Sequence, residues 1–334
     1  MEDKIQIAHG SGGKLSSQLI DSEIVSRFGE GPLKGLPDAA MLEGFKNNII
    51  FSTDSYVVHP IEFPGGNIGN LAVHGTVNDV SVAGGKPKWL SLGVILEEGL
   101  SVKTFQKILD TIKLSAKECG VKIVTGDTKV VAKGQCDGIY INTAGIGEAI
   151  EGFNLDKNLI KENDCIIVSG NIGDHGMAVL SAREGINIEN GPLSDTGSVH
   201  RLVQNIQPYA KNIKFMRDPT RGGIASVLNE IVSNTEIGAI LDSQKIPVAP
   251  GTNSISEILG IDILSVACEG RMLLICSESV SKDILNEWHK FPEGKNAAVI
   301  GKINSDKGRV TLSTVTGGTR LVDVPMGELL PRIC

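Results

Sequence analysis

Apolar residues in the first 150 positions alternate between the spacing of helices and the spacing of strands. Residues 14–27 carry leucine and isoleucine at helical spacing, and residues 101–120 show one apolar stripe between an N-cap serine and a closing glycine. Residues 68–83 suit a tightly packed helix that glycines end, with Asn78 and Asp79 in its C-terminal half. The strands predicted here are 48–58, broken around Asp54, then 88–98, 121–125 and 138–149.

The second half repeats the alternation of strands and helices. It opens on a strand, a turn and a helix, and then becomes polar through 187–196. The later helices are predicted at 222–232 and 281–290, and the strands at 239–242, 271–276, 297–303 and 309–313. Because some strands follow one another as hairpins, mixed sheets are expected rather than one doubly wound sheet.

Length and pattern together predict two domains of α/β (α+β) class. The chain has 334 residues, which suits about two domains. A polar stretch after residue 149 has the composition of a linker, so the boundary is expected near 150. The predicted division is 1–150, 151–312 and a tail, 313–334, whose last residues are expected to be mobile.

Charge and composition exclude several classes of protein. Lys and Arg number 32 against 39 Asp and Glu, for a net charge of −7, which disfavours nucleic acid as a partner. There is neither a long apolar run nor a signal peptide at the start, so no membrane association and a cytoplasmic location are predicted. The 6 cysteines form no C-x-x-C pair, which indicates neither a disulfide framework nor a structural metal.

The segment HGSGGK at 9–14 resembles a phosphate loop without matching one. The P-loop pattern requires glycine where Ala8 stands and serine or threonine where Leu15 stands. Glycines before a helix can still bind an anion through backbone N–H groups. A flexible N-terminal arm is the alternative.

Three aspartates each end or interrupt an apolar element: Asp54, Asp79 and Asp127. One such residue is usually a cap or turn residue. Three carboxylates without a His or Cys partner suit a hard cation such as Mg²⁺, which keeps waters and bridges substrate phosphates. The sequence therefore predicts a magnesium site at these three positions.

A second set of polar motifs lies downstream, at 173–176 (GDHG), 216–223 (MRDPTRGG) and 267–272 (ACEGRM). Arg221 offers a planar donor fork for phosphate, or belongs to a surface turn that caps the next helix. Glu269 is a buried base with a raised pKa, or an ordinary strand-edge residue.

Together with the terminal PRIC, the segments GTVNDVSVAGG, TGDTKVV, GDHGMAVL and RDPTRGG resemble the HypE family of hydrogenase maturation factors. The likeness runs along the whole chain, and PRIC is its specific element. The wider superfamily is that of ATP-using enzymes related to aminoimidazole ribonucleotide synthetase. It implies a two-domain PurM-like fold and a homodimer whose N-terminal halves form a β-barrel-like interface, with ATP bound nearby.

The resemblance also implies a reaction. A partner carbamoyltransferase, HypF, loads a carbamoyl group on the terminal Cys334, and this chain uses ATP to dehydrate the S-carboxamide to an S-cyanide. The cyanide then passes through a HypC–HypD complex to the iron of a nickel–iron hydrogenase. Because an amide oxygen is a poor leaving group, phosphorylation by ATP would turn it into phosphate.

Site residues follow from the same resemblance. Cys334 is the carrier and Glu269 the group that takes protons from the amide nitrogen. Lys129 polarises the carboxamide or stabilises charge on its oxygen. Burial would move the pKa values of Glu269 and Lys129 toward neutrality. The ATP-binding residues are expected to be Asp54, Asn78, Asp79, Gly126, Asp127, Thr128, Asp218 and Arg221.

Other functions stay open on the sequence alone. A selenophosphate synthetase would need a reactive residue in the N-terminal loop, whereas the first cysteine is Cys119. A thiamine-phosphate kinase or purine-pathway ligase would not need Cys334. A nucleotide-sensing docking module would bind ATP without releasing phosphate from a carbamoylated tail.

Overall fold

The structure is a computed structural model that describes residues 4–34, 36–37 and 39–324. The predicted carrier Cys334 and the last ten residues of the predicted tail, 325–334, therefore lie outside the described residues.

The helices alternate with strands along the described chain. Near the N-terminus, α1, a π-helical segment and α2 follow one another without a break, in agreement with the helix predicted there. They are α1 (Lys14–Leu19), the π-helical segment (Ile20–Val25) and α2 (Ser26–Phe28), and the further helices are α3 (Ile68–Val82), α4 (Val102–Cys119), α5 (Asp174–Glu184), α6 (His200–Asn205), α7 (Gly223–Val232), α8 (Pro250–Leu259) and α9 (Glu278–Trp288). Short 3₁₀ turns lie at Ile7–Gly10, Gly31–Leu33, Lys157–Leu159, Gln207–Asn212, Ile263–Ser265 and Pro292–Gly294.

The strands form two mixed sheets and a small hairpin. Their bounds are β1 (Ile49–Tyr56), β2 (Glu62–Phe63), β3 (Gly66–Asn67), β4 (Gly85–Glu97), β5 (Lys122–Val131), β6 (Ile139–Ala149), β7 (Cys165–Val168), β8 (Ile213–Arg217), β9 (Gly238–Asp242), β10 (Leu273–Cys276), β11 (Ala298–Asn304), β12 (Val310–Ser313) and β13 (Thr319–Leu321). Among the described residues, the first sheet has the order β1-β6-β4-β5 and the second the order β13-β12-β9-β11-β7-β10-β8. Each sheet combines one parallel pair, β4–β5 or β9–β12, with antiparallel pairs. The expected mixed sheets are confirmed.

The helix α3 joins the two halves of the molecule. It packs against β1, β4 and β6 of the first sheet, and also contacts β8 and α6 of the second half. Its side chains are buried almost all the way round, with Ile68, Leu71 and Val77 fully enclosed. Because a helix buried on every side cannot shift without disturbing both halves, the residues on α3 are placed rigidly.

Two strands differ from the sequence prediction in a way that matters for the site. β1 continues through Asp54 without a break, and β5 runs on through residues 126–131 instead of ending at 125. The pairing of Thr128 with Val94 on β4 continues the ladder past the predicted end. Asp54 and Asp127 are thus strand residues whose side chains point to opposite faces, as alternation requires.

Three elements of the second half were not predicted at all: α6, α8 and β8. α6 is a short helix of 6 residues, and β8 has only 5, so neither repeats its pattern often enough to stand out. Ser101 occupies the N-cap of α4 as predicted, but its side chain makes no capping hydrogen bond.

Gly75 in the middle of α3 is a tightly packed position. A Cβ there would meet the hydroxyl oxygen of the buried Tyr56 at 2.3 Å. That hydroxyl is fixed by Thr76 at 3.2 Å, so it cannot move away freely. Although alanine favours helices more than glycine does, we expect Gly75→Ala to lower stability by about 1–3 kcal/mol through overpacking.

Thermal unfolding checks this prediction. Gly44→Ala is the matched control, because a Cβ at Gly44 would meet nothing within 4 Å. An unchanged melting temperature in Gly75→Ala would show that Tyr56 and α3 are less constrained than this packing implies.

Candidate functional site

Acidic residues from both halves meet where α3 faces β8. On β1, Ser52 and Asp54 lie on the face that packs against α3, whereas the odd-numbered residues face outward. Ser52 Oγ donates to Asp79 Oδ2 at 2.7 Å, and Arg221 Nη2 lies 3.8 Å from Asp54 Oδ1. Arg221 therefore extends from the second half to an aspartate of the first.

The electrostatics of this junction favour protonated carboxylic acids. Burial raises the pKa of Asp79, with a further contribution from the negative charge of Asp54. Burial and the neighbouring Asp79 raise the pKa of Asp218 to about 7. A positive charge bound here would relieve the repulsion among these carboxylates.

A cleft of about 750 Å³ opens beside Asp79 and Asp218. It runs between the end of α3, the segment around residue 156, β8 and α7, and its charged rim includes Lys157 and the Arg217–Glu230 ion pair.

Glu269 is buried at the same junction with an unused oxygen. Only 2% of the residue is exposed, and Oε1 has no hydrogen-bond partner among the described residues. Burial raises its pKa well above the ordinary value, and the charges of Asp218 and Asp195 raise it further. The burial of Glu269 agrees with the predicted buried base rather than with an ordinary edge residue, and its role as a base stays a prediction.

Asn78 holds the backbone around Glu269. Its Nδ2 donates to the carbonyl oxygens of Gly197 at 2.9 Å and Glu269 at 3.0 Å, and its Oδ1 accepts from Val199 N at 2.9 Å. The residue is fully buried. Asn78 was predicted to contact the nucleotide, but in the structure both hydrogens of its amide nitrogen are donated within the protein.

Asp127 and Lys129 lie on the other side of the first sheet. Asp127 pairs with Gly93, Gly93 pairs with Asn142, and Asn142 pairs with the outward-facing Ser55, so these residues share the outer face. Three strand spacings separate β5 from β1, or about 14 Å. The three predicted magnesium ligands therefore do not come together within one chain.

Lys129 is also more exposed than was predicted. Its Nζ lies 2.8 Å from Asp127 Oδ1, and 63% of its side chain is exposed. The salt bridge is the main cause that lowers the pKa of Asp127. The burial that was predicted for Lys129 is therefore not present within a single chain.

Gly126 and Thr128 face the opposite way from Asp127. They line a cavity of about 300 Å³ beneath the N-terminal helix, together with Ile20, Ile24 and Leu33. A Cβ at Gly126 would lie 2.2 Å from the Leu92 carbonyl oxygen, so only glycine fits this approach of β5 to β4.

The loop HGSGGK borders the same region. Residues Ile7–Gly10 form a 3₁₀ turn, and a Cβ at Gly10 would lie 2.8 Å from Val130 Cβ on β5. The described start of the chain therefore packs on the strand that carries Gly126 and Thr128, which does not match the alternative of a free arm.

The structure brings the three downstream motifs together. Gly176 N donates to Ala267 O at 3.2 Å, and Cys268 N donates to Pro219 O at 3.0 Å. A Cβ at Gly223 would lie 2.5 Å from Leu264 O, which explains the glycine at the start of α7. The segment carrying Glu269 is thus bound by both of the other motifs.

Comparisons with known proteins decide the family. The family model described as AIR synthase related protein, N-terminal domain, matches residues 37–149, and the C-terminal domain model matches 161–313. The chain is 41% identical to the carbamoyl dehydratase HypE of Rhizobium leguminosarum bv. viciae over 333 residues, covering 99% of this chain and 95% of the relative. It is 39% identical to that of Escherichia coli (strain K12), with 99% of this chain and 100% of the relative covered. The chain belongs to the HypE family.

Solved structures of the HypE family have the same fold. A HypE structure in complex with ATP superposes with a TM-score of 0.94 at 40% identity, covering 98% of this chain and 99% of that one. The HypE chain of a HypE–HypF complex gives 0.81 at 42% identity, with coverage of 92% and 99%. The PurM-like two-domain fold is therefore confirmed. A thiamine monophosphate kinase of Aquifex aeolicus at 19% identity and a TM-score of 0.60 shares the fold alone.

The residues of this HypE family member fit Mg²⁺ only in part. Asp54 lies on the face of the first sheet that packs against α3, and Asp79 lies on α3, so their negative charges repel each other. This arrangement suits a cation held by two carboxylates and substrate phosphates. Across residues 4–34, 36–37 and 39–324, no group of three or more His, Cys, Asp or Glu side chains is arranged to hold a metal. Asp127 is not a third ligand of this set in the same chain.

Sequence reasoning missed two residues of this site. Ser52 lies two positions before Asp54, so strand alternation alone would have placed it on the same face. Asp195 lies in an irregular segment, and no local pattern connects it with Glu269.

In the described part of this HypE family member, no helix is long and apolar enough to span a membrane.

Proposed function

We propose that this protein is a carbamoyl dehydratase that uses ATP to convert the S-carboxamide on Cys334 to an S-cyanide for nickel–iron hydrogenase maturation. The buried, unpartnered carboxyl of Glu269 beside an acidic junction is the observation that carries the proposal. Relatives named carbamoyl dehydratase and an ATP-bound HypE structure support the activity.

The proposed reaction has two chemical steps, a phosphorylation and an elimination of phosphate. ATP phosphorylates the carboxamide oxygen, one proton leaves the nitrogen, and the imidate then expels phosphate as a second proton leaves and the C≡N bond forms. The products are the S-cyanide, ADP and phosphate, so the carbamoyl oxygen ends in phosphate. We assign the proton transfers to Glu269, because its buried carboxyl has an oxygen without a hydrogen-bond partner among the described residues and a pKa that burial raises above the ordinary value.

Asp54 and Asp79 would hold Mg²⁺, whose charge neutralises the triphosphate. Arg221, beside Asp54, would bind phosphate with its planar fork. The carboxyl of Asp218, half-buried at the floor of the cleft, would face the same group. Gly126 and Thr128 would contact ATP from the cavity beneath the N-terminal helix.

We propose that the site is completed by a second copy of the chain. The outer face of the first sheet exposes Ile49 and Phe51 at 63% each and Ile95 at 41%, which suits burial in a homodimer. Asp127 and Lys129 lie on that face, so a partner chain would bring them to the Glu269 site of its neighbour. HypF and a HypC–HypD complex are the proposed partners, the former supported by a HypE–HypF complex of a relative.

Mixed dimers test this arrangement. Lys129→Ala and Glu269→Gln homodimers should each lose phosphate release from the carbamoylated chain by at least about tenfold. If Lys129 serves the neighbour's site, a mixed dimer has one site with both residues and one with neither. We expect about half of its sites to recover the wild-type rate.

Co-expression with two affinity tags yields the mixed dimer, and single-turnover phosphate release measures it. Re-purified homodimers of each variant are the control. Mixed dimers that stay as slow as either parent would place Lys129 and Glu269 in the same chain's site.

A further inference from the structure

The backbone of Glu269 is held from two sides by side chains of other elements. Its N–H donates to Asp195 Oδ1 at 3.1 Å, and its carbonyl oxygen accepts from Asn78 Nδ2 at 3.0 Å. The Glu269 side chain has an unpartnered oxygen, so no hydrogen bond at Oε1 fixes its direction within the described chain. The direction of this carboxyl therefore depends on the position of its backbone.

Asp195 is an unusual residue to find at this place. Its side chain is 0% exposed, and Oδ2 lies 3.5 Å from Arg271 Nε without a hydrogen-bond partner among the described residues. A buried carboxylate with one hydrogen bond and one loose ion pair is costly to maintain for stability alone. In some proteins such a buried group fixes a specific arrangement of its neighbours instead of adding stability.

The packing between the two segments leaves no room for adjustment. A Cβ at Gly270 would lie 1.8 Å from Asp195 O and 2.8 Å from Gly197 N, so the two backbones touch. Arg271 fixes the far side, because its Nε donates to Asn171 O at 2.9 Å and its Nη1 to Gly270 O at 3.1 Å. The segment that carries Asp195 thus packs directly against residues 269–271 and fixes the position of their backbone.

We infer that Asp195 is a positioning residue that acts on the reaction through Glu269, by holding its backbone N–H so that the carboxyl points at the carboxamide. The inference rests on the proposed role of Glu269. Misplacement of a reacting group by about 1 Å can slow a reaction about 100-fold, so a lost backbone anchor is expected to have a large effect.

A double-mutant cycle tests the inference on the full-length carbamoylated protein. With Glu269 present, Asp195→Ala should slow single-turnover phosphate release about 10- to 100-fold, while the ATP concentration at half-maximal rate stays within about twofold. In the Glu269→Gln background the same change should cost less than about threefold, because the group it positions is already gone. Asp195→Asn keeps an acceptor for the Glu269 N–H and should restore most of the rate.

The outcomes separate positioning from a purely structural role. Equal losses from Asp195→Ala in both backgrounds would overturn the inference, as would an Asn variant as slow as the Ala variant. If Asp195→Ala does not fold, the cycle is run with Asp195→Ser, and thermal unfolding and ATP binding are recorded for each protein. Failure of the proposed function would give a different result, because the Glu269→Gln variant alone would then release phosphate at the wild-type rate.

Discussion

Glu269→Gln is expected to slow phosphate release from the carbamoylated protein about 100- to 10,000-fold, the usual contribution of a group that transfers protons. Glutamine has nearly the same shape, and the backbone contacts to Asp195 and Asn78 stay available. ATP binding should therefore be unchanged. Single-turnover phosphate release at saturating ATP measures the effect.

The pH dependence gives this prediction a second readout. As a base, Glu269 must be ionised, and burial raises its pKa well above the ordinary 4.5. The wild-type rate should accordingly rise with pH up to the raised pKa and then level off, and the Gln variant should lack that rise. A Gln variant with the wild-type rate and the same pH profile would remove Glu269 from the reaction.

Replacing Cys334 by serine should abolish S-cyanide formation while ATP binding persists. The terminal thiol is the proposed carrier, and a serine oxygen would not replace the sulfur of the S-cyanide product. Cys136→Ser is the matched control, since Cys136 is the half-buried member of the five described cysteines and the other four are buried. Mass measurement of the intact chain after incubation with HypF, carbamoyl phosphate and ATP records the adducts.

A cyanated Cys334→Ser chain, or a loss of cyanation in Cys136→Ser, would place the carrier at a different residue. Either result would leave the family membership intact and would change the account of the tail.

Local patterns predicted the elements that repeat their spacing often enough. The α4 helix extends over 18 residues with a regular apolar stripe, and the sequence located it almost to the residue. β8 and α6 are too short for such a signal, although Asp218 directly follows β8. The site was therefore predicted better by its motifs than by its scaffold.

Which site residues lie close together depends on contacts between distant parts of the chain, and the spacing of residues along the sequence cannot predict these contacts. Asp54 and Asp127 look equivalent in the sequence, yet strand alternation and sheet order put them on opposite faces. Asn78 neighbours Asp79 in the chain but turns its amide into the Glu269 loop. Asp195 reaches Glu269 across 74 positions, a contact that only the folded chain reveals.

The fate of the carbamoyl oxygen tests the central chemistry most directly. The chain is carbamoylated on Cys334 with a heavy oxygen isotope in the carbonyl group and then incubated with ATP in ordinary water. If the carboxamide oxygen is phosphorylated before it leaves, the inorganic phosphate released will carry one labelled oxygen for each S-cyanide formed. Unlabelled phosphate, with the label in water or still on the chain, would contradict the account.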